Sequence, residues 1–412
     1  MDNSIIFTSS VQIGQSLSLS AAALSWVSSA YTLTFGGFLL LSGRLSDLLG
    51  RKRIFLLGLA VFGISSLIIG LSKTPEMVIA MRAVQGIGSS IIAPTTLALI
   101  MDAYKNNMRQ RAISYYGATA GIGSSVGLLV GGGLTSLISW RAGFLINVPF
   151  TIVLFVLTLR FVENSERKSE KIDYLGSLLS IFGLIGIIYG FTESNGFFVL
   201  GGLIILGLFI IRERNITFPI LPLSLFQNRI RSGSYVARLL FMMAMLPFWF
   251  FLPQMMQSQY GFSAFESGMA FLPLTIVNFI IALQLPRLTS KFGNNKVLLA
   301  GEIILAAGLV ILAISDTSQG YWSTVFIPML VLGLGQGLIL APVTSAGVHA
   351  APNELAGVAS GVTNTMHQIG GPIGLSLIVS VTNDFQKELW LMVLFTMISI
   401  VVVGLFVNTK KQ

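Results

Sequence analysis

The sequence predicts an all-α polytopic membrane protein, on three observations. First, 54% of its 412 residues are hydrophobic and only 10% are charged, where a water-soluble domain carries roughly 25% charged residues. Second, the mean hydropathy is +0.83. Third, uncharged stretches alternate with short polar loops, and each stretch has roughly the 20 residues a helix needs to cross a bilayer.

The chain opens on the short apolar segment Ile5–Ile13, too brief to cross alone. Thirteen full spans are predicted after it. Spans 25–43 and 54–72 flank the charged loop 43–53, and 76–101 begins after Lys73-Thr74-Pro75. The glycine-rich span 111–137 follows a basic loop, and 141–161 runs from Trp140-Arg141 to Arg160. Spans 173–192 and 196–211 are parted by Glu193-Ser-Asn-Gly196, and 232–257 begins past Arg229 and Arg231. Spans 264–286 and 296–315 flank a second basic loop. The segments 321–345, 355–382 and 388–407 complete the chain.

Lys and Arg set the orientation. Of the 25, Arg82 and Arg238 lie inside spans, and Lys73, Arg141 and Lys387 fall on one side of the membrane. The other twenty fall on the opposite side, which the positive-inside rule makes cytoplasmic, the C-terminus included. The net charge of +9 thus sets topology, aided by anionic lipid, and points to no nucleic-acid partner. Cysteine is absent, which removes disulfides and thiolate metal sites. No Gly-x4-Gly-Lys-Ser/Thr loop occurs, so nothing points to ATP hydrolysis. No His/Asp/Glu cluster has metal spacing and no nucleophile–base pair stands out, so neither an enzyme nor a cofactor is expected.

The loop Gly43-Arg-Leu-Ser-Asp47-Leu-Leu-Gly50-Arg51-Lys52-Arg53 resembles the cytoplasmic motif between the second and third spans of major facilitator superfamily transporters. An internal repeat agrees with this. Arg44–Gly50 returns as Arg287–Gly293, Ala93-Pro94 as Ala341-Pro342, and Ala112, Gly117, Gly127 as Ala356, Gly361, Gly371. Restoring the partial first span gives two six-span halves around two inserted spans, a count similar to the fourteen-span drug:proton antiporter family. Leu24-Ser-Trp26 with Tyr31, Arg82-Ala-Val-Gln85-Gly86, Ser139-Trp140-Arg141 with Asn147, and Asp173-Tyr-Leu-Gly176 resemble that family's other motifs. The resemblance implies a major facilitator fold: a six-helix half over 1–161, linkers and inserted spans over 162–231, and a second half over 232–412. Two departures stand out. Leu128 occupies the place of the antiporter-motif proline, and Met1-Asp2-Asn3-Ser4-Ile5 begins inside the family's first-span signature, as in a chain with a shortened first span.

Charges within a bilayer cost about 2.5–3.5 kcal/mol on insertion scales. Each therefore needs a reason. By resemblance, Asp2 and Arg82 are proton-coupling candidates, though Asp2 can equally be frayed and Arg82 can simply bond nearby carbonyls. Glu302 and His367 are further proton-coupling candidates, weighed against a neutral or snorkelling carboxyl and a packing imidazole. Gly43, Asp47, Gly50, Arg51 and Arg53 form the implied conformational latch, and Gly117, Gly121, Gly127 and Gly131 the antiporter-motif glycines. Arg238, Met242, Met245, Trp249 and Met256 share one helix face. That face is the candidate substrate cavity, with packing or lipid contact as its alternative. The resulting expectation is a monomeric, proton-coupled exporter of hydrophobic or cationic small molecules in the plasma membrane. A dedicated metabolite or metal–tetracycline exporter, or a truncated non-transporting protein, stays open.

Overall fold

The computed structural model describes residues 2–104, 108, 112, 123, 126–163, 173–217, 219–352 and 355–407. Among these residues the structure is helix and connecting turns, in two compact units, Met1–Ile220 and Leu221–Gln412. Gly117 and Gly121 lie outside the described residues. For Asp2, Arg44 and Asp47 the backbone is described and the side chain is not.

The first unit begins with α1 (Asp2–Leu17). This helix is longer than the apolar run Ile5–Ile13, and hydroxyls within that run fold back onto its own carbonyls. Thr8 donates to Ile5 O at 3.1 Å and Ser10 to Phe7 O at 3.1 Å, so polar residues cost little inside it. Next come α2 (Ala21–Leu49), capped by Ser20, α3 (Arg51–Leu71), and α4 (Pro75–Ala103), capped by Thr74 with Pro75 in its first turn. Helix α5 (Val126–Leu137) meets α1 at a glycine: a Cβ on Gly131 would stand 2.6 Å from Ile5 Cα. Gly127 is buried nearby, and Ser9 and Thr135 share a 2.6 Å hydrogen bond.

Three predicted spans are each two helices. The first is α6 (Trp140–Leu145) with α7 (Asn147–Phe161). The others lie in the second unit: α11 (Ala264–Ala270) with α12 (Leu272–Phe292), and α14 (Tyr321–Thr324) with α15 (Phe326–Gly347). A proline follows each break, at Pro149, Pro273 and Pro328. Proline has no N–H for the carbonyl four residues back, here the last residue of α6 and of α14 and the second-last of α11.

The inserted pair, α8 (Tyr174–Thr192) and α9 (Gly196–Asn215), belongs to the first compact unit. A Cβ on Gly183 would stand 2.6 Å from Leu206 Cδ2, and one on Gly186 3.0 Å from Gly202 Cα. Against α2, Gly37 faces Ile181, and the Trp26 and Tyr189 rings lie 6.2 Å apart. At the pair's open end, buried Asp173 caps α8 through Gly176 N at 3.0 Å and takes Arg212 Nε and Nη2 at 2.7–2.9 Å. Burial pushes the Asp173 carboxyl up, but the Arg212 guanidinium and the Gly176 amide outweigh it and hold it below its ordinary value.

The second unit comprises α10 (Arg229–Tyr260), α11–α12, α13 (Asn294–Ile314), α14–α15, α16 (Ala356–Val381) and α17 (Phe385–Val402), the last ending in a π-helical turn. Helix α10 is its hub, packed against α15, α16 and α17. The repeat is visible in the backbone. Gly50 alone links α2 to α3 at φ 95°, ψ 126°, and Gly293 alone links α12 to α13 at φ 86°, ψ 147°. Residues with a Cβ are strongly disfavoured there.

Candidate functional site

Arg82 is fully buried in the middle of the first unit. Its Nε donates to Val27 O of α2 at 2.9 Å, its Nη1 donates to Gln85 Oε1 at 2.6 Å, and its guanidinium lies 4.2 Å from the Tyr31 ring centroid. Gln85 passes the network on to Ser66 Oγ at 2.7 Å, where Asn147 Nδ2 also reaches at 3.5 Å. Tyr31 OH donates to Ser89 Oγ at 2.8 Å. Four motif residues quoted separately from the sequence, Tyr31, Arg82, Gln85 and Asn147, therefore form one cluster across α2, α3, α4 and α7. Gly86 makes this possible: a Cβ there would overlap Thr34 Oγ1 and Tyr31 O. Beside the cluster lies a mostly apolar cavity of about 380 Å³, with Tyr31, Phe35, Phe62, Ser89, Asn147 and Thr151 in its walls.

The Ser139-Trp140-Arg141 motif is a clasp. Ser139 caps α6, Trp140 Nε1 donates to Ser16 Oγ of α1 at 2.8 Å, and Arg141 Nη2 donates to Ser72 O of α3 at 3.0 Å. On the side read as cytoplasmic, Arg51 Nη1 donates to Ala98 O at 3.0 Å and pairs with Asp102 at 2.6 Å. Lys52 reaches Leu159 O at 3.0 Å, and Arg53 is exposed. Gly43 has open space around it. Asp102 was missed by sequence reasoning. A single acid at the end of a span carries no signal until the fold sets it beside Arg51.

In the second unit the candidates separate. Glu302 of α13 is fully buried near Ser399 of α17, and neither its carboxylate oxygens nor that hydroxyl has a well-formed hydrogen bond. Arg238 of α10 and His367 of α16 lie on helices that pack closely, with Gly370 against Leu239 and Gly374 against Met243. The proposed face of α10 is uneven. Met245 and Met256 are buried, and Met245 Sδ accepts from Gln336 Nε2 at 3.1 Å. Met242 and Trp249 are half-buried, and Trp249 stacks on Phe271 at 4.8 Å and 15°. Gln336 went unnoticed in the sequence, as did the burial of Arg231. This arginine, read as a loop charge, donates to Leu225 O, His349 O and Ala350 O at 2.7–3.1 Å.

Comparison with known proteins identifies this helical arrangement. The sequence profile of the Major Facilitator Superfamily matches residues 1–375. The chain belongs to the Major Facilitator Superfamily. Its relatives in that superfamily include the puromycin resistance protein pur8 of Streptomyces alboniger, 33% identical over 93% of this chain and 78% of the relative. The cephamycin export protein CmcT of Amycolatopsis lactamdurans is 32% identical over 93% and 82%. Among solved structures, the nucleoside transporter NupG aligns over 99% of this chain and 96% of its own, with a TM-score of 0.68 at 13% identity, a likeness of fold. This superfamily member is thus a multi-pass, non-enzymatic transport protein, with ten helices among the described residues long and apolar enough to cross a membrane.

Proposed function

We propose that the protein is a proton-coupled exporter of hydrophobic small molecules, working as a monomer in the plasma membrane by alternating access, with its C-terminus in the cytoplasm. The observation that carries this reading is the match, over more than nine-tenths of the chain, to proteins named for antibiotic resistance and export. The apolar cavity beside the Arg82 cluster supports it, since a greasy pocket with a few placed polar groups suits hydrophobic ligands. In this reading the halves 1–161 and 232–412 exchange access. Asp2, Arg82, Glu302 and His367 are the candidates for coupling. The segment Gly43–Arg53, with Arg51 held by Asp102, is the latch, and Gly117, Gly121, Gly127 and Gly131 are the antiporter-motif glycines. Met242 and Trp249 present the cargo-facing part of α10, with Met245 and Met256 packing behind them. A cationic cargo is not carried forward, because the charge on that same face is Arg238.

Everted vesicles containing the protein test the reading. An inside-acid gradient should drive uptake of a neutral hydrophobic probe such as N-phenyl-1-naphthylamine. A protonophore should abolish it, and ATP depletion at a maintained gradient should not. Uptake that ignored the proton gradient would refute the coupling. A second reading, a dedicated exporter, draws on relatives each named for a single compound. Movement of only one member of a chemically mixed panel would favour it.

A further inference from the structure

The two arginines inside spans differ in how well their donors are satisfied. Arg82 has carbonyl, amide and ring partners. Arg238 is only 8% exposed, yet its single hydrogen bond is a long one, Nη1 to Leu340 O at 3.4 Å, and its Nε has no partner. Arg51 pairs with Asp102 and Arg212 with Asp173, but among the described residues no carboxylate pairs with Arg238. Beside it, His367 Nδ1 is also without a partner. The two are held together by close packing of α10 and α16: Gly370 lies against Leu239 and Gly374 against Met243.

A buried guanidinium with idle donors is costly, and charged side chains inside the membrane commonly mark a ligand path. Its planar fork fits a carboxylate, which accepts two parallel N–H bonds. Along the same face, half-buried Met242 and Trp249 lie about 6 Å and about 16 Å farther up the helix, at 1.5 Å per residue. That spacing suits an apolar or aromatic body attached to the anion. We infer that Arg238, with His367 beside it, is the docking point for a carboxylate on the transported molecule. The cargo is then acidic or zwitterionic with an apolar body. The inference rests on the export reading for what happens next, but the binding step can be tested alone.

The test uses the full chain in lipid nanodiscs and three fluorescent probes that differ in one group: 1-pyrenebutyrate, its methyl ester, and the trimethylammonium analogue. Wild type should bind the carboxylate about tenfold or more tighter than the ester, as one or two charge-assisted hydrogen bonds provide. Arg238→Gln should bring the two within about threefold, Arg238→Lys should keep part of the preference, and His367→Gln should lose less than Arg238→Gln. Because Arg238→Gln removes a buried charge held by one long hydrogen bond, its melting temperature should not fall below wild type. A wild type that binds the carboxylate no better than the ester, or not at all, overturns the inference. So does an Arg238→Gln protein that keeps the preference. Gradient-driven uptake of the same probes separates the two readings. Carboxylate preference without uptake sinks export but not the subsite, and uptake of all three without preference sinks the subsite but not export.

Discussion

The Arg82–Gln85 pair gives the sharpest quantitative prediction. Arg82→Ala removes donors from Val27 O at 2.9 Å and Gln85 Oε1 at 2.6 Å, and takes a cation off the Tyr31 ring at 4.2 Å. Hydrogen bonds to charged groups contribute about 1.5–3 kcal/mol each, and a desolvated cation–π contact about 1–2 kcal/mol. Against these stands the relief of taking a charge out of the membrane interior, about 2.5–3.5 kcal/mol. The balance is a loss of about 2–4 kcal/mol, because two buried acceptors each lose a charged donor. Gln85→Leu should cost less by itself, since it removes the bonds to one guanidinium nitrogen and to Ser66 Oγ while the Val27 and Tyr31 contacts of Arg82 remain.

The double mutant separates the pair from its surroundings. If Arg82 and Gln85 act on each other as this geometry requires, the two losses will fall short of additivity by about 1–2 kcal/mol. Reversible unfolding of the four proteins in mixed micelles measures that term, and gradient-driven efflux from the same preparations shows whether coupling is lost with it. Strict additivity would refute the pairing. An Arg82→Ala protein with wild-type stability and wild-type efflux would refute both the structural and the coupling role.

Gly50→Ala and Gly293→Ala should each destabilise the protein by about 1–3 kcal/mol, since both place a Cβ at φ near 90°; melting temperatures check this, and an unchanged value for both would contradict the strained one-residue turns. Charge reversal at Asp102 (Asp102→Arg) should cripple transport, and pairing it with Arg51→Asp should restore part of it. No rescue would separate the ion pair from the latch. Asp173 stabilises the α8–α9 pair through a carboxyl held below its ordinary value near 3.8. Its contribution is present above that pH and is lost as pH falls through the lower folded value, so wild type and Asp173→Asn should differ in melting temperature at pH 7 and converge below about pH 4. Tags at Lys105 and Lys291 should report the cytoplasmic side and tags at Lys73 and Lys387 the opposite one, and a shared side for Lys73 and Lys105 would break the span assignment.

The spans, the turn within Gly43–Arg53 and the repeat were legible because each follows a local rule, though the structure narrows the expected loop to Gly50 alone. Apolar length gives a span, charge placement gives a side, and the equivalent Gly50 and Gly293 mark the same turn. The breaks at Ile146, Phe271 and Val325 were also written locally, in Pro149, Pro273 and Pro328, but hydropathy runs straight through them. The clustering of Tyr31, Arg82, Gln85 and Asn147 was not legible. It depends on helix rotations set by close approaches such as Gly86 against Tyr31, where the informative residue is the one without a side chain. Arg231 shows the limit from the other direction. As a letter in a basic loop it is indistinguishable from Arg229, yet three carbonyls of the fold surround it.

Satisfaction of polar groups, more than burial, separates the charges inside this protein. Arg82 and Arg231 are enclosed by acceptors that belong to the same unit, so their charge helps to define helix positions. Arg238 has a single long bond and an unpartnered Nε, and Glu302 lies between α13 and α17 with no well-formed bond. A stable core gains nothing from either, because an apolar residue of similar size would pack there without the desolvation cost. Such residues are explained by a second state in which the missing partner arrives, whether ligand, proton or a moved helix. Arg238 shares its helix face with half-buried Met242 and Trp249, the side from which the proposed carboxylate would approach. Glu302 is fully enclosed by neighbouring helices, so any partner it gains must come with movement of α13 against α17 or be as small as a proton. The two sites therefore call for opposite perturbations. Arg238 should respond to the chemistry of the cargo and be indifferent to how tightly its helices pack. Glu302 should be indifferent to the cargo and respond to substitutions at Ser399 that tighten or loosen the α13–α17 seam.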